Sequence, residues 1–465
     1  MHLLIVGGSD AGIAAALRAR ELAPQAEVSI VVADAYPNYS ICGLPYYLAG
    51  DVPDWHALAH RTRDDLEASG LRLMVDTVAR HLDPAAKRLT VSGPDGLERR
   101  LAYDRLIVAT GAEPVRPPIP GLHLPGVHLL HTMADAFALQ QAIDSAPASG
   151  SAVIIGAGYI GLEMAEALTA RGLAVTQVEQ LPAVLPTVDP DLGQLVAEEL
   201  AAHGVRVVNS VRIQAIRPAR AGRLTITGTS GFQQTADLVV VVVGVRPSGE
   251  LAHAAGARAG VRGAIKVTRR MRTTLADVWA AGDCAETYHA LLERTAYLPL
   301  GTTAHKQGRV AGENAVGGDR QFAGSLGTQV VKVFDLAVAR TGLRDKEAAE
   351  AGFDPATVAA TADDHKAYYP GAHPVHMRVT GDRRTGRLLG VQLLGHRDAQ
   401  VPKRIDIPAT ALFHRTHVDG LNDLDLSYSP PFGSPWDALQ VGAQTWLREL
   451  TLSQRAGGLG NASGT

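Results

Sequence analysis

Cys42 lies in a segment whose neighbours could make its thiol reactive. Gly43 and Pro45 follow it and predict a turn that opens a helix. The positive end of a helix dipole stabilises a thiolate, so we expect a lowered pKa for Cys42. The other cysteine of the chain is Cys284, far away in the sequence, so Cys42 has no neighbour with which to form a local redox disulfide. The alternative interpretation is an inert apolar core cysteine.

A glycine-rich turn near the middle of the chain is the second candidate site. Gly156, Gly158 and Gly161 form a full G-x-G-x-x-G pattern between an apolar strand and a helix. Such glycines allow a tight turn and the close approach of a pyrophosphate, which faces the helix N-terminus. Glu179 ends the next strand, where a carboxylate can accept both ribose hydroxyls. The pattern predicts an NAD site, with NADH preferred because Glu179 repels a 2′-phosphate, although NADPH stays possible.

The start of the chain carries a weaker version of the same turn. Gly7, Gly8 and Gly12 follow an apolar strand, but Ser9 stands where the middle glycine is usual. Asp34 closes the next strand and is the expected ribose carboxylate. The alternative interpretation of Asp34 is a solvated loop acid. The position of the turn after a strand still favours a dinucleotide site.

Two further apolar strands, Leu106–Gly111 and Val278–Asp283, end in small residues. Alone, each predicts only a buried strand followed by a turn. Together with the two glycine turns they resemble the further FAD-contact segments of the pyridine nucleotide–disulfide oxidoreductase superfamily, over nearly the whole chain. The resemblance implies that the first turn binds FAD and the second NAD. It also implies that Thr110 and Gly111 contact FAD and that Asp283 bonds the flavin ribityl chain.

The cysteine segment resembles the single-cysteine branch of that superfamily. This branch contains coenzyme A disulfide reductases, NADH oxidases, NADH peroxidases and NAD(P)H-dependent polysulfide reductases, and Cys42–Tyr47 most resembles the first of these. In the coenzyme A disulfide reductases, similar C-terminal segments place two tyrosines of one subunit at the redox cysteine of the other. The resemblance implies a homodimer in which Tyr428 and Tyr368, rather than Tyr369, serve Cys42. A tyrosine hydroxyl there could protonate a departing thiolate.

Several residues depart from the patterns of these relatives. The peroxidases and oxidases carry a histidine in the first glycine turn, where this chain has Asp10. The coenzyme A reductases have an asparagine before the cysteine, where this chain has Ile41. Basic residues line their first helix, and this chain keeps Arg18 and Arg20 beside Glu21. These departures leave the electron acceptor open.

Strand-sized apolar runs alternate with helical patterns through the first two thirds of the chain, which predicts parallel α/β units. The expected fold class is α/β, with two Rossmann-like dinucleotide-binding domains and a C-terminal α+β dimerisation domain. The expected parts are a discontinuous FAD domain (1–113 and 245–321), an NAD(P) domain (114–244), a dimerisation domain (322–455) and a flexible tail (456–465).

Composition limits the classes of partner. The 465 residues carry a formal net charge of −3, so no basic excess favours nucleic acid or an anionic membrane. We expect no membrane span and no secretory signal. The 2 cysteines exclude a disulfide framework and fit the cytoplasm, with Cys284 as a small buried hydrophobe. The 17 histidines show no pairing that predicts a metal site.

Three functions compete on these observations. The first is FAD-dependent reduction of a small disulfide or polysulfide by NADH through Cys42, with coenzyme A as the leading thiol. The second is an NADH oxidase or peroxidase in which Cys42 cycles through sulfenic acid. The third is an electron-transfer flavoprotein that serves a small redox protein, with Cys42 incidental. The cysteine segment favours the first, and Asp10 weighs against the second.

Overall fold

The structure, a computed structural model, describes residues 1–460, with side chains up to Ser453. In the first 114 residues the strands are β1 (His2–Val6), β2 (Glu27–Val31), β3 (Leu71–Met74), β4 (Val78–Asp83), β5 (Arg88–Ser92), β6 (Glu98–Ala102), β7 (Arg105–Val108) and β8 (Ala112–Pro114). The helices in this part of the chain are α1 (Asp10–Leu22), α2 (Leu44–Ala49) and α3 (Arg63–Ala68).

The next stretch is a second α/β unit. Its strands are β9 (Val127–His128), β10 (Ser151–Ile155), β11 (Ala174–Val178), β12 (Arg206–Val208), β13 (Ile213–Pro218), β14 (Leu224–Gly228), β15 (Gln233–Ala236) and β16 (Leu238–Val241). Its helices are α4 (Met133–Asp144), α5 (Tyr159–Ala170) and α6 (Pro190–Ala202).

The remaining elements fall into two groups. The first group is β17 (Val245–Pro247), α7 (Glu250–Ala254), β18 (Val278–Ala280), β19 (Thr287–His289), β20 (Arg294–Ala296) and α8 (Gly301–Ala315). The second is β21 (Gln329–Val333), β22 (Leu336–Gly342), α9 (Asp345–Glu350), β23 (Pro355–Asp363), β24 (Pro374–Asp382), β25 (Leu388–His396), α10 (Val401–Arg404), α11 (Asp406–Phe413), α12 (Val418–Asn422) and α13 (Ala438–Gly460). Short 3-10 helices are Ile41–Gly43, Trp55–Leu58, Arg220–Gly222, Thr229–Gly231, Val261–Gly263 and Arg397–Ala399.

Two parallel sheets hold the predicted glycine turns. The first has the order β18-β7-β1-β2-β3 and the second β12-β11-β10-β16-β9, and each has 5 strands. Their central strands are buried almost completely, as expected for parallel strands with both faces covered. These sheets confirm the expected α/β class with two Rossmann-like units.

Strand β18 lies beside β7 in the first sheet, although 169 residues lie between Val108, the last residue of β7, and Val278, the first residue of β18. The second sheet is built from the intervening part of the chain. The chain enters this intervening part through β8 and leaves it through β17, and these two strands pair antiparallel with each other. The chain therefore leaves the first sheet, builds the second and returns.

The C-terminal part is an antiparallel sheet of 5 strands in the order β21-β22-β25-β24-β23. Helix α13 packs against it through Trp446, which is 1% exposed and donates its indole N–H to the carbonyl of Ala356 at 2.8 Å. The predicted tail at residues 456–465 starts inside this helix, and residues 461–465 lie outside the described part of the chain. Within the described residues, no helix is both long and apolar enough to cross a membrane.

Candidate functional site

The four segments predicted to contact FAD lie at one edge of the first sheet. Asp34 comes after β2, and the turn that begins at Gly7 follows β1. Thr110 follows β7, and Asp283 follows β18. These strands are neighbours and run parallel, so their carboxyl ends meet at the same edge. Ligands of open α/β sheets bind at this edge.

The first glycine turn has the shape that a dinucleotide requires. Gly7 has φ +116°, and a Cβ there would lie 2.0 Å from the carbonyl oxygen of Ala109. A Cβ on Gly12 would lie 1.9 Å from the carbonyl oxygen of Gly7, so both positions need glycine. Helix α1 begins directly after the turn, and the Ser9 side chain makes no capping hydrogen bond. Its first N–H groups are therefore available to a phosphate, and the turn fits FAD.

Two carboxyl groups lie at the same edge, and Asp34 is exposed whereas Asp283 is half-buried. Desolvation raises the pKa of Asp34, whose Oδ1 accepts the backbone N–H of Tyr36 at 2.9 Å. Burial, followed by the nearby charge of Asp10, raises the pKa of Asp283 to about 6. Carboxyl oxygens in such positions suit the hydroxyls of a ribose and a ribityl chain.

Cys42 lies in the 3-10 turn that precedes α2. There the pKa of its thiol is raised, whereas the sequence predicted a lowered pKa. Its side chain is exposed, but desolvation and the charges of Glu163, Asp10 and Asp283 raise the pKa of the thiol. The prediction of a lowered pKa is wrong for this environment. Helix α2 has only 6 residues, so its dipole is outweighed by desolvation and three carboxylates.

Glu163 is a candidate functional residue that the sequence interpretation missed. It lies on α5 among buried apolar neighbours, and Tyr46 donates its hydroxyl to Oε1 at 3.3 Å. Burial, with a smaller contribution from Glu166, raises the pKa of Glu163 to about 7. A signal was present in the sequence, since an acid two residues after Gly161 interrupts an apolar helix.

His305 is the second residue that was missed. It projects from α8, and its Nε2 lies 3.4 Å from Oδ1 of Asp10. Asp10 stands where the resemblance to the oxidases implies a histidine, and it contacts a histidine from another element. Asp10 weighs less against oxidase chemistry than the sequence alone indicated.

Glu179 lies beside the second glycine turn. Gly156 follows β10, and Glu179 follows the neighbouring parallel strand β11. Oε2 of Glu179 accepts the backbone N–H of Ala157 at 2.8 Å, and Oε1 accepts that of Leu181 at 2.9 Å. A carboxylate offers about four acceptor positions, so two backbone bonds leave capacity for ribose hydroxyls. Gly158 and Gly161 complete the turn at the start of α5.

Family profiles agree with this arrangement of two nucleotide sites. The profile for pyridine nucleotide-disulphide oxidoreductases matches residues 1–308, and the profile for the dimerisation domain of the same family matches residues 328–438. The chain belongs to this family. It is an FAD-dependent oxidoreductase, and its nucleotide is NADH or NADPH.

Individual relatives narrow the comparison. An NAD(P)H sulfur oxidoreductase (CoA-dependent) from Pyrococcus abyssi is 35% identical over 445 residues, 95% of this chain and 97% of the relative. An NADH oxidase from Methanocaldococcus jannaschii is 31% identical over 97% of this chain and 100% of the relative. The solved NAD-dependent persulfide reductase from A. fulgidus has a TM-score of 0.92 and 35% identity, covering 97% of this chain and 83% of that one.

Replacing Glu179 with alanine should narrow the preference for NADH over NADPH about tenfold. A lost charge-assisted hydrogen bond costs about 1.5–3 kcal/mol, and removing the charge also removes repulsion of a 2′-phosphate. The measurement is kcat/KM for both nucleotides. Gln180→Ala is the control, because this neighbour is exposed and uncharged. A wild-type enzyme that clearly prefers NADPH would contradict the assignment.

The C-terminal tyrosines of this oxidoreductase come together on the surface. Tyr368 is 74% exposed and Tyr428 is 45% exposed. Desolvation and the neighbouring hydroxyl of Tyr428 raise the pKa of Tyr368. The two loops are also joined by their backbones, since the N–H of Lys366 donates to the carbonyl of Pro430 at 3.3 Å. Their action at Cys42 stays a prediction about the dimer.

Cys284 and a cluster of polar side chains around His203 both have structural roles. Cys284 is 0% exposed, and its Sγ lies 3.5 Å from the carbonyl oxygen of Val108, so the expected buried hydrophobe is confirmed. Glu199, His203 and Asp335 form one group whose ligand atoms lie within 4.8 Å of one another. The i,i+4 spacing of the first two was overlooked in the sequence. Asp335 already donates its backbone N–H to Glu199, so we assign this group to contact between α6 and the β21–β22 hairpin.

Proposed function

We propose that this chain reduces a small disulfide or polysulfide with electrons from NADH through Cys42. One observation carries the proposal: the exposed Cys42 lies four residues after Asn38, whose backbone N–H donates to the carbonyl of Gly8 in the first glycine turn at 2.7 Å. The relatives from Pyrococcus abyssi and A. fulgidus, named for sulfur and persulfide reduction, support the same chemistry.

Cys42 has no partner cysteine within this subunit. Cys284 is buried among backbone carbonyls and cannot reach it without unfolding of the core. Cys42 must therefore form a mixed disulfide with an external thiol or be oxidised by an oxygen species. The two free cysteines also support a reducing compartment such as the cytoplasm.

The nucleotide residues have separate tasks in this proposal. Glu179 and the turn beginning at Gly156 hold NADH, while Asp34 and Asp283 hold the ribose and ribityl hydroxyls of FAD. FAD held there would supply the chemistry of accepting a hydride from NADH and transferring two electrons to sulfur. Cys42 holds the external thiol as a mixed disulfide.

The tyrosines provide the acid for the external thiol. In a homodimer, Tyr428 and Tyr368 of one subunit would face Cys42 of the other, and a neutral hydroxyl can protonate the departing thiolate. The match to a dimerisation domain and the exposure of both tyrosines support this arrangement.

The choice of coenzyme A as the external thiol rests on the names of the relatives and on the Cys42–Tyr47 segment. The structure removes the support expected from Arg18 and Arg20. Arg18 pairs with Glu313 at 2.6 Å and with Glu21 at 2.7 Å. Arg20 donates to the backbone carbonyls of Pro24 and Ala26. The charge of Arg18 is therefore compensated by two carboxylates, and the guanidinium of Arg20 is bonded to the backbone through Nη1.

The sheets support the domain limits that we propose. We place the FAD domain at 1–113 and 245–321 because β18 completes the first sheet. We place the NAD domain at 114–244, between the two strands of the β8–β17 pair. The antiparallel sheet supports a dimerisation domain at 322–455.

An NADH oxidase is the second candidate function. The contact between His305 and Asp10 brings an imidazole towards the FAD edge, and imidazole suits proton transfer near neutral pH. The 31% identical oxidase from Methanocaldococcus jannaschii supports this alternative. In that case Cys42 would cycle through sulfenic acid.

Steady-state assays with NADH distinguish the two candidates. We expect a higher kcat/KM with coenzyme A disulfide or polysulfide than with glutathione disulfide, oxygen or peroxide. Tyr428→Phe should lower disulfide turnover about a hundredfold, the usual size of a lost general acid. Tyr369→Phe is the matched control and should have little effect. A highest kcat/KM for oxygen or peroxide, unchanged in Tyr428→Phe, would replace the reductase with the oxidase.

A further inference from the structure

Residues 187–189 lie between Glu179 and helix α6, outside any helix or strand, and their backbone is held by the C-terminal part of the chain. Three backbone groups of this segment bond to side chains on or next to the C-terminal sheet. The contacts are Arg340 Nη1 to the carbonyl of Thr187 at 2.7 Å, Arg344 Nη1 to the carbonyl of Val188 at 2.9 Å, and the N–H of Asp189 to Oε1 of Gln392 at 2.7 Å. Backbone polar groups withdrawn from water need such partners, so these side chains fix where the segment lies.

The same stretch of chain forms one side of the second glycine turn. The N–H of Leu185 donates to the carbonyl of Ala157 at 2.8 Å, and the hydroxyl of Thr187 donates to that of Tyr159 at 3.3 Å. Ala157 and Tyr159 flank Gly158 in the chain, and Tyr159 is the first residue of α5. A displacement of this stretch would therefore also displace the turn at which the nucleotide is expected to bind.

Arg340 is itself held in place by residues of the C-terminal part. It is 9% exposed, and its Nη2 donates to Oε2 of Glu347 at 2.7 Å and to the carbonyl of Gly342 at 2.6 Å. Its Nη1 also donates to Oε1 of Glu347 at 3.2 Å. A planar guanidinium that bonds a carboxylate through two nitrogens has a fixed orientation. The N–H of Nη1 therefore approaches the carbonyl of Thr187 from a fixed direction.

Gln392 is a polar residue of β25 that lies between the buried apolar residues Val391 and Leu393. It is 2% exposed. Its Oε1 accepts the N–H of Asp189, whereas its Nε2 has no hydrogen-bond partner among the described residues. Burying an unpaired amide nitrogen costs free energy that an apolar side chain would avoid. The bond to Asp189 is thus what a glutamine contributes at this position.

We propose that Arg340, Arg344 and Gln392 are positioning residues for NADH. They hold residues 187–189, and through these the Tyr159 side of the second glycine turn, in the arrangement to which the nucleotide binds. The conformational entropy of this segment is lost on folding, so the binding of NADH does not have to order it. The nucleotide site is accordingly completed by residues outside the proposed NAD domain. This role rests on the proposed binding of NADH at that turn and is independent of the electron acceptor.

Isothermal titration calorimetry of the FAD-bound protein with NAD⁺ tests this role without hydride transfer or a disulfide. Gln392→Met approximately keeps the size of the side chain and removes the acceptor of the Asp189 N–H. We expect its Kd for NAD⁺ to rise about tenfold, because binding must then order the released segment. In steady-state assays its KM for NADH should rise by a similar factor, while kcat stays within about twofold of the wild type.

Arg378→Met is the matched control. Arg378 lies on β24 of the same sheet and pairs with Asp191 on α6, so it joins the same two parts of the chain through a different contact. Its loss should leave the Kd for NAD⁺ within about twofold of the wild type, since exposed ion pairs contribute little. An equal rise of the Kd in both variants would mean that any contact between the two parts has the same effect, and it would overturn the proposal.

An unchanged Kd in Gln392→Met also overturns the proposal. Should that variant not fold, Arg344→Met decides, because Arg344 is only half-buried and its replacement removes the bond to the carbonyl of Val188. Its Kd for NAD⁺ should rise, and an unchanged value contradicts the proposed role.

Gly158→Ala distinguishes a failure of this proposal from a failure of the proposed function. If the alanine weakens NAD⁺ binding and Gln392→Met does not, the nucleotide site stands and the role of the C-terminal residues is wrong. If neither variant changes the Kd, both the assignment of the turn to NADH and the positioning role are wrong. The disulfide assays, in contrast, report only the electron acceptor.

Discussion

Replacing Cys42 with serine should lower NADH-dependent disulfide reduction by roughly a thousandfold or more, because the hydroxyl cannot form a mixed disulfide. FAD content and the reduction of ferricyanide by NADH should remain near wild type, since the nucleotide turns are untouched. Flavin absorbance, ferricyanide assays and disulfide assays measure the three properties. Cys284→Ala is the control and should retain activity, because Cys284 is buried beside the carbonyl of Val108.

The same variant also decides between the remaining alternatives. Retained disulfide turnover in Cys42→Ser would point to the electron-transfer flavoprotein, in which the cysteine is incidental. In a shared dimer, one chain with Cys42→Ser and one with Tyr428→Phe should regenerate one wild-type site. Purified heterodimers that show no more activity than either parent would place the tyrosine outside the partner's site.

Local sequence patterns predicted the parts of the site that act through backbone geometry. The turns at Gly7 and Gly156 follow parallel strands, as expected, while Glu179 comes directly after β11 and Asp34 lies three residues after the end of β2. These features depend on residues within one βα unit, so their spacing alone carries the information. The order of the two parallel sheets follows from the same units.

The unpredicted residues owe their roles to contacts between distant parts of the chain. Glu163 meets Tyr46 across 117 residues, and Arg18 meets Glu313 across 295. Neither pairing leaves a local pattern, because each depends on how two helices pack. The raised pKa of Cys42 has the same origin, since its carboxylates come from three separate elements. The helix dipole is evident from the local sequence, whereas these charges become evident only once the chain is folded.

The antiparallel parts were also predicted incompletely. In the C-terminal part, the apolar runs predict strands at Gln329–Phe334, His376–Val379 and Leu388–Leu394. The structure has strands at these three places and also β22 and β23, and the sheets β4-β5-β6 and β13-β14-β15 were not predicted either. The edge strand β23 alternates between partly buried and exposed residues and is rich in alanine and threonine, so its hydrophobic signal is weak. Pairing partners, rather than its own residues, define such a strand.

Gly158→Ala and Gly161→Ala should separate nucleotide binding from folding within one turn. Gly158 has φ −81°, which any residue adopts, and a Cβ there would have nothing within 4 Å. A Cβ on Gly161 would lie 2.2 Å from the carbonyl oxygen of Gly156, which is much closer than van der Waals contact allows. The protein therefore tolerates alanine at the first position and must deform at the second.

The space in front of Gly158 is where the pyrophosphate approaches the turn. We expect Gly158→Ala to raise the KM for NADH at least about tenfold, with the thermal midpoint and FAD content unchanged, because only the nucleotide meets the added methyl group. Gly161→Ala should instead lower the free energy of unfolding by about 1–3 kcal/mol, the usual cost of overpacking. Steady-state kinetics and thermal unfolding measure both variants. An unchanged KM in Gly158→Ala would mean that NADH does not cross this turn, and the second nucleotide site would then have to lie elsewhere.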